Sequence, residues 1–405
     1  MRSRDHAAAL GGILVCLALA LLLYHSLAGG TLLSANPYDS YALQAENWLA
    51  GRNYIAGGEN YPWLELAIYQ GRYYHSFPPV PALWMLPWVL FCGSAAAVPS
   101  NLAIALLALV SACGCYLCCA RAGFSPAAAS CLTLFVSLGS NAFWLSTSGG
   151  VWFTAQILGL CLALWGLFFA QRDTALSTVL ASLCMALAVG CRPFYAVLLA
   201  VWLARMAWSY ARAGCWKKLL PALLPAALAA ACMTGYNLAR FGNPLEFGHN
   251  YLPEFTRAAD GQFSFAYLAG NLANLLRPVM LDSTLQLHFE VFNGFLFFVA
   301  NPLFLLGFLR GGAVLCRREP QTYPPPLPSR GWLIAGICLL LTLATCMHRT
   351  LGGWQFGARY LVDLFPWVLL WFLSRPDWQP RTGAWTLCGA AILFNLYGAV
   401  YMLQT

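Results

Sequence analysis

The sequence predicts an all-α, polytopic transmembrane helical bundle, a single integral membrane domain over residues 1–405 with about eleven spans and two large loops on one side. Three observations predict it. Of the 405 residues 60% are hydrophobic and only 9% are charged, against about 25% charged in ordinary soluble domains. Apolar runs that reach bilayer length, roughly 17 to 25 residues per helix, recur along the whole chain. The basic residues fall in short loops between those runs, so the formal net charge of +8 reflects membrane topology and not a nucleic-acid surface.

The first run, Ala7 to Leu27, follows Arg2 and Arg4 and reads as an uncleaved signal anchor with a cytoplasmic N-terminus; Ser26-Leu27-Ala28 is only a fair processing site. The other spans are expected at 100–120, 126–145, 151–170, 174–191, 194–210, 219–239, 291–309, 331–347, 360–374 and 383–403. The apolar segment 77–97 carries Pro78, Pro79, Pro81 and Pro87 and is read as re-entrant or interfacial. With that assignment the cytoplasmic side receives fourteen of the 22 basic residues, from Arg2 to Arg381, and the outer side ten of the fourteen acidic ones. A full crossing at 77–97 would turn the basic loops Arg212 to Lys218 and Arg310 to Arg330 outward, against the positive-inside rule.

Two extracytoplasmic loops result. The first, 28–76, holds Asp39, Glu46, Glu59 and Glu65 among many tyrosines and tryptophans. The second, 240–289, holds Arg240, Glu246, His249, Glu254, Arg257 and Asp260, then an apolar stretch from Phe263 to Leu281 expected to lie along the interface. Aromatic residues here serve as membrane anchors or as stacking surfaces for substrate. The Pro320 to Pro328 stretch reads as a stiff linker. Sixteen cysteines lie almost all within or at the ends of apolar runs, where they pack as small, soft side chains; the C-x-x-C spacing in the Cys113 to Cys119 cluster has no neighbouring His or carboxylate ligands.

Three stretches resemble one known group. Asn36-Pro-Tyr-Asp39-Ser40 through Glu46 to Gly51 continues to Leu64-Glu65, Gly71-Arg72-Tyr73-Tyr74 and Phe77-Pro-Pro-Val-Pro81. Arg240-Phe-Gly-Asn-Pro-Leu-Glu246-Phe-Gly-His249 opens the second loop. Gly352-Gly-Trp-Gln-Phe-Gly357-Ala-Arg359-Tyr360 runs to Asp363 and Pro366. Their order and common sidedness resemble the GT-C superfamily of polyprenyl-phosphate-sugar glycosyltransferases, of the protein mannosyltransferase and aminoarabinose transferase types. Two departures stand out: Asp39 is followed by Ser40 where the mannosyltransferases usually have Glu, and the chain has no D-x-D motif.

The resemblance implies an inverting glycosyltransferase whose donor, a polyprenyl-phosphate sugar, enters from the membrane and whose acceptor belongs to the cell envelope. It implies Asp39 as the catalytic base; the same residue also suits a helix N-cap. Glu65 is a candidate for binding sugar hydroxyls, and a solvated loop charge is the alternative. The departing phosphate calls for guanidinium groups. Arg359 leads, with an i,i+4 pair to Asp363 as its structural alternative; Arg192 is the second candidate, and Arg72, Arg240 and His249 complete the expected substrate-binding set. No metal or other cofactor is expected. A lipid or polysaccharide transporter, or a noncatalytic accessory protein of an envelope complex, are the competing readings.

Overall fold

The computed structural model describes residues 2–284, 286–309 and 331–405. The basic cluster Arg310 to Arg330 and the Pro320 to Pro328 linker therefore lie outside the described residues. The chain is helical almost throughout: α1 (Arg2–Leu27), α2 (Ser40–Leu49), a hairpin of β1 (Leu66–Tyr69) and β2 (Arg72–His75), α3 (Val80–Cys92), α4 (Ser100–Arg121), α5 (Pro126–Ser137), α6 (Ala142–Leu145), α7 (Val151–Phe169), α8 (Ala175–Val189), α9 (Tyr195–Arg212) and α10 (Leu220–Phe241). Then follow α11 (Pro253–Thr256), α12 (Leu268–Leu275), a short pair β3 (Met280–Leu281) and β4 (Leu287–His288), α13 (Phe297–Ala300), α14 (Leu303–Leu309), α15 (Gly331–Cys346), α16 (Phe365–Leu373) and α17 (Thr382–Tyr401).

Helices α4 and α7 form the centre, with α5 against α4, α8 against α7, and α9 and α10 against α8; α1 covers α4 and α5, and α17 covers α5 and α6. Small residues allow the close approach, as in membrane helix pairs generally. Gly114 lies under the Trp165 indole, Gly159 under Tyr195 and Gly166 under Met185. The periphery is apolar outward: Leu220, Leu224 and Leu228 repeat every four residues on the exposed face of α10, and Val15, Leu19 and Leu23 do so on α1. Such faces suit lipid, since every backbone polar group within a helix is already satisfied. The fifteen described cysteines are unpaired, and Cys115, Cys118 and Cys119 are fully enclosed in the α4 core.

Among the described residues five helices are long and apolar enough to cross a membrane: Arg4–Leu27, Ser100–Arg121, Val151–Phe169, Trp216–Phe241 and Thr382–Tyr401. The other six expected spans are shorter, less apolar or broken, so helix lengths do not establish a count of eleven. Three of them break for a shared reason. The expected 126–145 span stops at Ser137 and resumes at Ala142; 291–309 is irregular until Phe297 and breaks again at Asn301-Pro302; 360–374 opens as a 3-10 turn, Arg359–Leu364, before α16. These interruptions meet. The Asn141 amide N–H donates to Asn301 Oδ1 at 3.3 Å, Asn141 Nδ2 donates to the Phe356 carbonyl at 3.4 Å, and Asn395 of α17 donates to the Ala300 carbonyl at 2.9 Å. Freed backbone groups thus find partners within protein, the condition for irregular backbone at depth.

The first loop folds back over this body. Helix α3 has 13 residues, about 20 Å at 1.5 Å per residue and well short of a hydrocarbon core of about 30 Å. Both ends of the 77–97 segment touch α2: the Phe77 ring lies 6.5 Å from Tyr41, and the Ala95 amide donates to Glu46 Oε1 at 3.3 Å. Those α2 positions are five residues apart, about 7.5 Å along the axis. Leu83, Leu90 and Phe91 of α3 are exposed. In the second loop Arg240 still belongs to the last turn of α10, and the chain leaves that helix at Gly242 (φ +67°). Residues 347–355 are held between two short antiparallel contacts, Phe263 with His348 and Phe292 with Trp354.

The meeting of broken helices gives a direct test. Gly294 has φ +77°, and a methyl group there would overlap the Gly357 carbonyl. Gly294→Ala is expected to cost about 1–3 kcal/mol or more from overpacking and backbone strain and to lower the thermal midpoint in detergent. Gly383→Ala, which meets nothing within 4 Å, leaves the midpoint unchanged.

Candidate active site

Five of the seven residues singled out in the sequence gather where the first loop, the α8–α9 connection, the second loop and the 348–363 segment meet. Asp39 caps α2: its Oδ1 accepts from the Ala42 amide at 3.0 Å. That occupies only one oxygen, and Oδ2 is buried without a hydrogen-bond partner. The capping reading and the base reading therefore concern different atoms. Burial pushes the Asp39 carboxyl up to about 7, against the opposing influence of the Ala42 and Tyr41 backbone and of the nearby Ser100 hydroxyl. Its neighbour Tyr41 lies within electrostatic reach of both Asp39 and Arg192.

Arg359 is buried and held by neutral acceptors. Its Nε and Nη2 donate to the Gly352 carbonyl at 3.1 and 2.7 Å, and Nη1 donates to Gln156 Oε1 at 3.1 Å. The cradle is closed by Gln156 Nε2, which donates to the Arg359 carbonyl at 2.7 Å, and by Gln355 Oε1, which accepts the Arg359 amide at 2.8 Å. Gly352 sits at φ +115°, a conformation that favours glycine, and a methyl group there would crowd Arg359 Nε at 3.1 Å. The expected alternative partner, Asp363, is engaged elsewhere: its Oδ2 takes Arg192 Nε at 2.8 Å. Among the described residues no carboxylate lies within ion-pair distance of Arg359. Both guanidiniums stand over the Tyr360 ring, Arg192 at 4.7 Å and Arg359 at 4.9 Å, a favourable contact for a desolvated cation.

Glu65, half-buried, accepts from Trp152 Nε1 at 3.0 Å. Burial raises its pKa, the Trp152 hydrogen bond lowers it, Glu254 raises it and Arg359 lowers it. His249 packs edge-on against Phe77 at 4.9 Å, and burial, with His348 and Arg192 nearby, pulls it down to about 4. Two expected residues take other places. Arg240 donates to the His75 carbonyl at 2.7 Å, to Asn237 Oδ1 at 3.1 Å and to the Phe247 carbonyl at 3.5 Å, with Tyr236 under it at 4.0 Å; it fastens the second loop to the first. Arg72 is exposed on β2 and stacks on Tyr54 at 4.8 Å, apart from the cluster.

Sequence reasoning missed Gln156 and His348. His348 follows α15, donates through Nδ1 to the Thr350 carbonyl at 2.7 Å, and meets Gln262 Nε2 at 3.2 Å. Burial, with Arg192 and Arg359 adding repulsion, lowers it to about 4, so it stays neutral near pH 7. Gln156 gave a signal that could have been read: an amide within an otherwise apolar helix needs a partner at that depth. Among the described residues no three His, Cys, Asp or Glu side chains are grouped so as to hold a metal ion.

The fold of this helical body is shared with solved structures at low sequence identity. ArnT from Cupriavidus metallidurans bound to undecaprenyl phosphate matches with a TM-score of 0.51 at 13% identity, over 91% of this chain and 61% of ArnT. The Archaeoglobus fulgidus oligosaccharyltransferase matches with an acceptor peptide tethered (TM-score 0.55, 13% identity, 97% of this chain and 55% of that one). It also matches, as AglB in complex with an inhibitory peptide and a dolichol-phosphate, at a TM-score of 0.51 and 13% identity, over 97% of this chain and 56% of AglB. The chain thus spans less than two thirds of the length of these proteins. No protein-family model and no curated protein matches its sequence. The likeness is one of fold, across almost the whole chain.

The ion pair is testable apart from any activity. Asp363 is 3% exposed and Arg192 17% at their side chains, so Arg192→Ala strands a buried carboxylate and is expected to cost about 3 kcal/mol, at the lower end of the range for a broken buried pair. Adding Asp363→Asn removes the stranded charge and recovers part of the loss, read as thermal midpoints of the two single variants and the double variant.

Proposed function

We propose that the protein is an inverting membrane glycosyltransferase that takes a sugar from a polyprenyl-phosphate carrier and passes it to a cell-envelope acceptor on the extracytoplasmic side. The observation that carries the reading is Arg359: a buried guanidinium fixed by neutral acceptors, with no carboxylate at ion-pair distance among the described residues, beside a second guanidinium that is held by Asp363. Such a pair suits an anion that arrives from outside the chain. In the bilayer the available anion is a lipid phosphate, and the structurally similar ArnT and AglB are described with undecaprenyl phosphate and dolichol-phosphate.

In this reading the acceptor hydroxyl gives its proton to Asp39 Oδ2 as its oxygen attacks the anomeric carbon. The bond from that carbon to the phosphate oxygen breaks, and the electron pair leaves on the phosphate. Arg359 and Arg192 stabilise the charge that develops there, through bonds already oriented before reaction. His249 and His348 are neutral near pH 7 and add no charge, so the arginines supply the cationic field. Both ends of 77–97 meeting α2 supports the re-entrant reading of that segment, and with it an outer location for Asp39 and Arg359 and a cytoplasmic N-terminus. Charged residues at helix ends and in loops, as Arg192 and Asp363 are, favour a fixed site over a transport path.

Sidedness is tested by reporter fusions near Lys217, His249 and Gly353, expected to read in, out and out. If His249 and Gly353 report opposite sides, the site does not exist as a unit.

The base assignment is tested by Asp39→Asn, which keeps the cap because Asn and Asp are about equal there. Transfer of labelled sugar from a polyprenyl-phosphate donor, normalised to folded protein, should fall by about 100-fold or more. In the wild type the rate should decline below about pH 7 as Asp39 takes up its proton. Stability carries a second signature. The folded state holds this proton up to about pH 7, whereas a free Asp releases it near 3.8, so Asp39 lowers stability as pH rises from about 4 to 7. Asp39→Asn removes that slope and is relatively more stable than wild type at pH 7. An active Asn variant with an unchanged pH profile refutes Asp39 as the base.

A further inference from the structure

A linked arc of aromatic rings, Trp63, Tyr38 and Trp152, ends on Glu65, which lies within electrostatic reach of Arg359. Trp63 Nε1 donates to the Pro37 carbonyl at 3.0 Å, which seats Trp63 against the turn carrying Tyr38. The Tyr38 ring lies 5.6 Å from Trp152, and Trp152 Nε1 donates to Glu65 Oε2 at 3.0 Å. Tyr38 is 41% exposed and Trp63 49%, while Glu65 Oε1 has no hydrogen-bond partner among the described residues. We propose that Tyr38, Trp63, Trp152 and Glu65 form a subsite for a pyranose ring, adjoining the phosphate-binding arginines; the inference rests on the transferase reading above.

The chemistry of a sugar ring fits both halves of this arc. One face of a pyranose is lined by C–H groups that pack on an aromatic face, and its rim of hydroxyls donates to a carboxylate oxygen. Membrane seating would be the ordinary role for exposed tryptophans in an outer loop, with the indole N–H turned to the wet headgroups. Here both indole N–H groups are already bonded within the protein, to the Pro37 carbonyl and to Glu65, and are not left for headgroups. The rings therefore offer faces and not polar edges. The arc also follows directly into the site, since Tyr38 precedes Asp39 and the Val151 amide donates to the Tyr38 carbonyl at 3.0 Å, just before Trp152.

The ring could belong to the donor or to a carbohydrate acceptor, and one experiment separates them. Full-length protein in nanodiscs is mixed with methyl glucopyranoside, mannopyranoside or galactopyranoside, and saturation-transfer NMR reads the ring protons; binding of undecaprenyl phosphate is measured in parallel by native mass spectrometry. At least one pyranoside should give signal, reduced about threefold or more in Trp63→Ala, the size expected for one lost aromatic contact. Arg72→Ala, on the far side of the hairpin, should leave it unchanged. Competition by undecaprenyl-phosphate glucose assigns the ring to the donor, and binding alongside it assigns the ring to the acceptor; both support the subsite. No pyranoside signal from protein that binds undecaprenyl phosphate overturns it, as does an undiminished signal in folded Trp63→Ala. Pyranoside binding without any binding of undecaprenyl phosphate leaves the subsite standing and sinks the transferase reading instead.

Discussion

Irregular backbone inside a helical membrane body is permitted only where protein supplies the missing hydrogen bonds, and the rest of this structure depends on how that requirement is met. Asn141, Asn301 and Asn395 are fully buried and bridge the breaks in three neighbouring stretches of chain. Their amides take the place of water. The result is a fixed floor under residues 352–359, on which Gly352 and Gln355 shape the cradle of Arg359. A continuous helix through 352–364 would have used the Gly352 carbonyl within its own ladder. Breaking the helix released that carbonyl to hold a guanidinium.

Charge placement follows the same economy. Burying a cation is costly unless something compensates it, and two solutions stand side by side. Arg192 is matched by Asp363 and is structurally satisfied. At contact distance Arg359 meets dipoles, the Gly352 carbonyl, the Gln156 amide and a tyrosine face, while Glu65 and Asp363 act on it from farther away. Dipoles can hold a guanidinium in place without cancelling its charge. Under the proposed function an anion would meet a preorganised centre, with no carboxylate at contact distance to displace first. Asp39 is the counterpart on the acid side, with one oxygen anchored by the helix it caps and the other left free.

The helical class and the grouping of Asp39, Glu65, Arg192, His249 and Arg359 were legible because each leaves a local mark. Charges at the ends of apolar runs are conspicuous, and Asn-Pro-Tyr-Asp-Ser announces a capped helix. Pairings across the chain leave none. Asp363 stands four residues after Arg359, and helix periodicity favours that pair; the chain instead opens as a 3-10 turn and gives Asp363 to Arg192, 171 residues earlier. Arg240 shows the converse. Its position at a loop entrance suits a ligand contact, yet three acceptors already within reach, the His75 and Phe247 carbonyls and Asn237, engage it. The breaks at Ser137 and Asn301 were hidden for a different reason: hydropathy averages over a window and cannot register that three interruptions will meet.

The distribution of roles over distant segments also bears on how the site stays assembled. The carboxylate comes from the first loop, one guanidinium from the α8–α9 connection and the other from the 352–359 segment. No single helix can carry all three, so their geometry depends on the contacts between loops. Arg240 bonds the first loop through His75, Val80 bonds the α8–α9 connection through the Gly190 carbonyl at 3.0 Å, and Gln262 with His348 ties the second loop to the late segment. Each fastening joins a different pair of the elements that hold the site. Arg240 thus acts through position, since losing its bond to His75 would free the hairpin that carries Glu65 against Trp152.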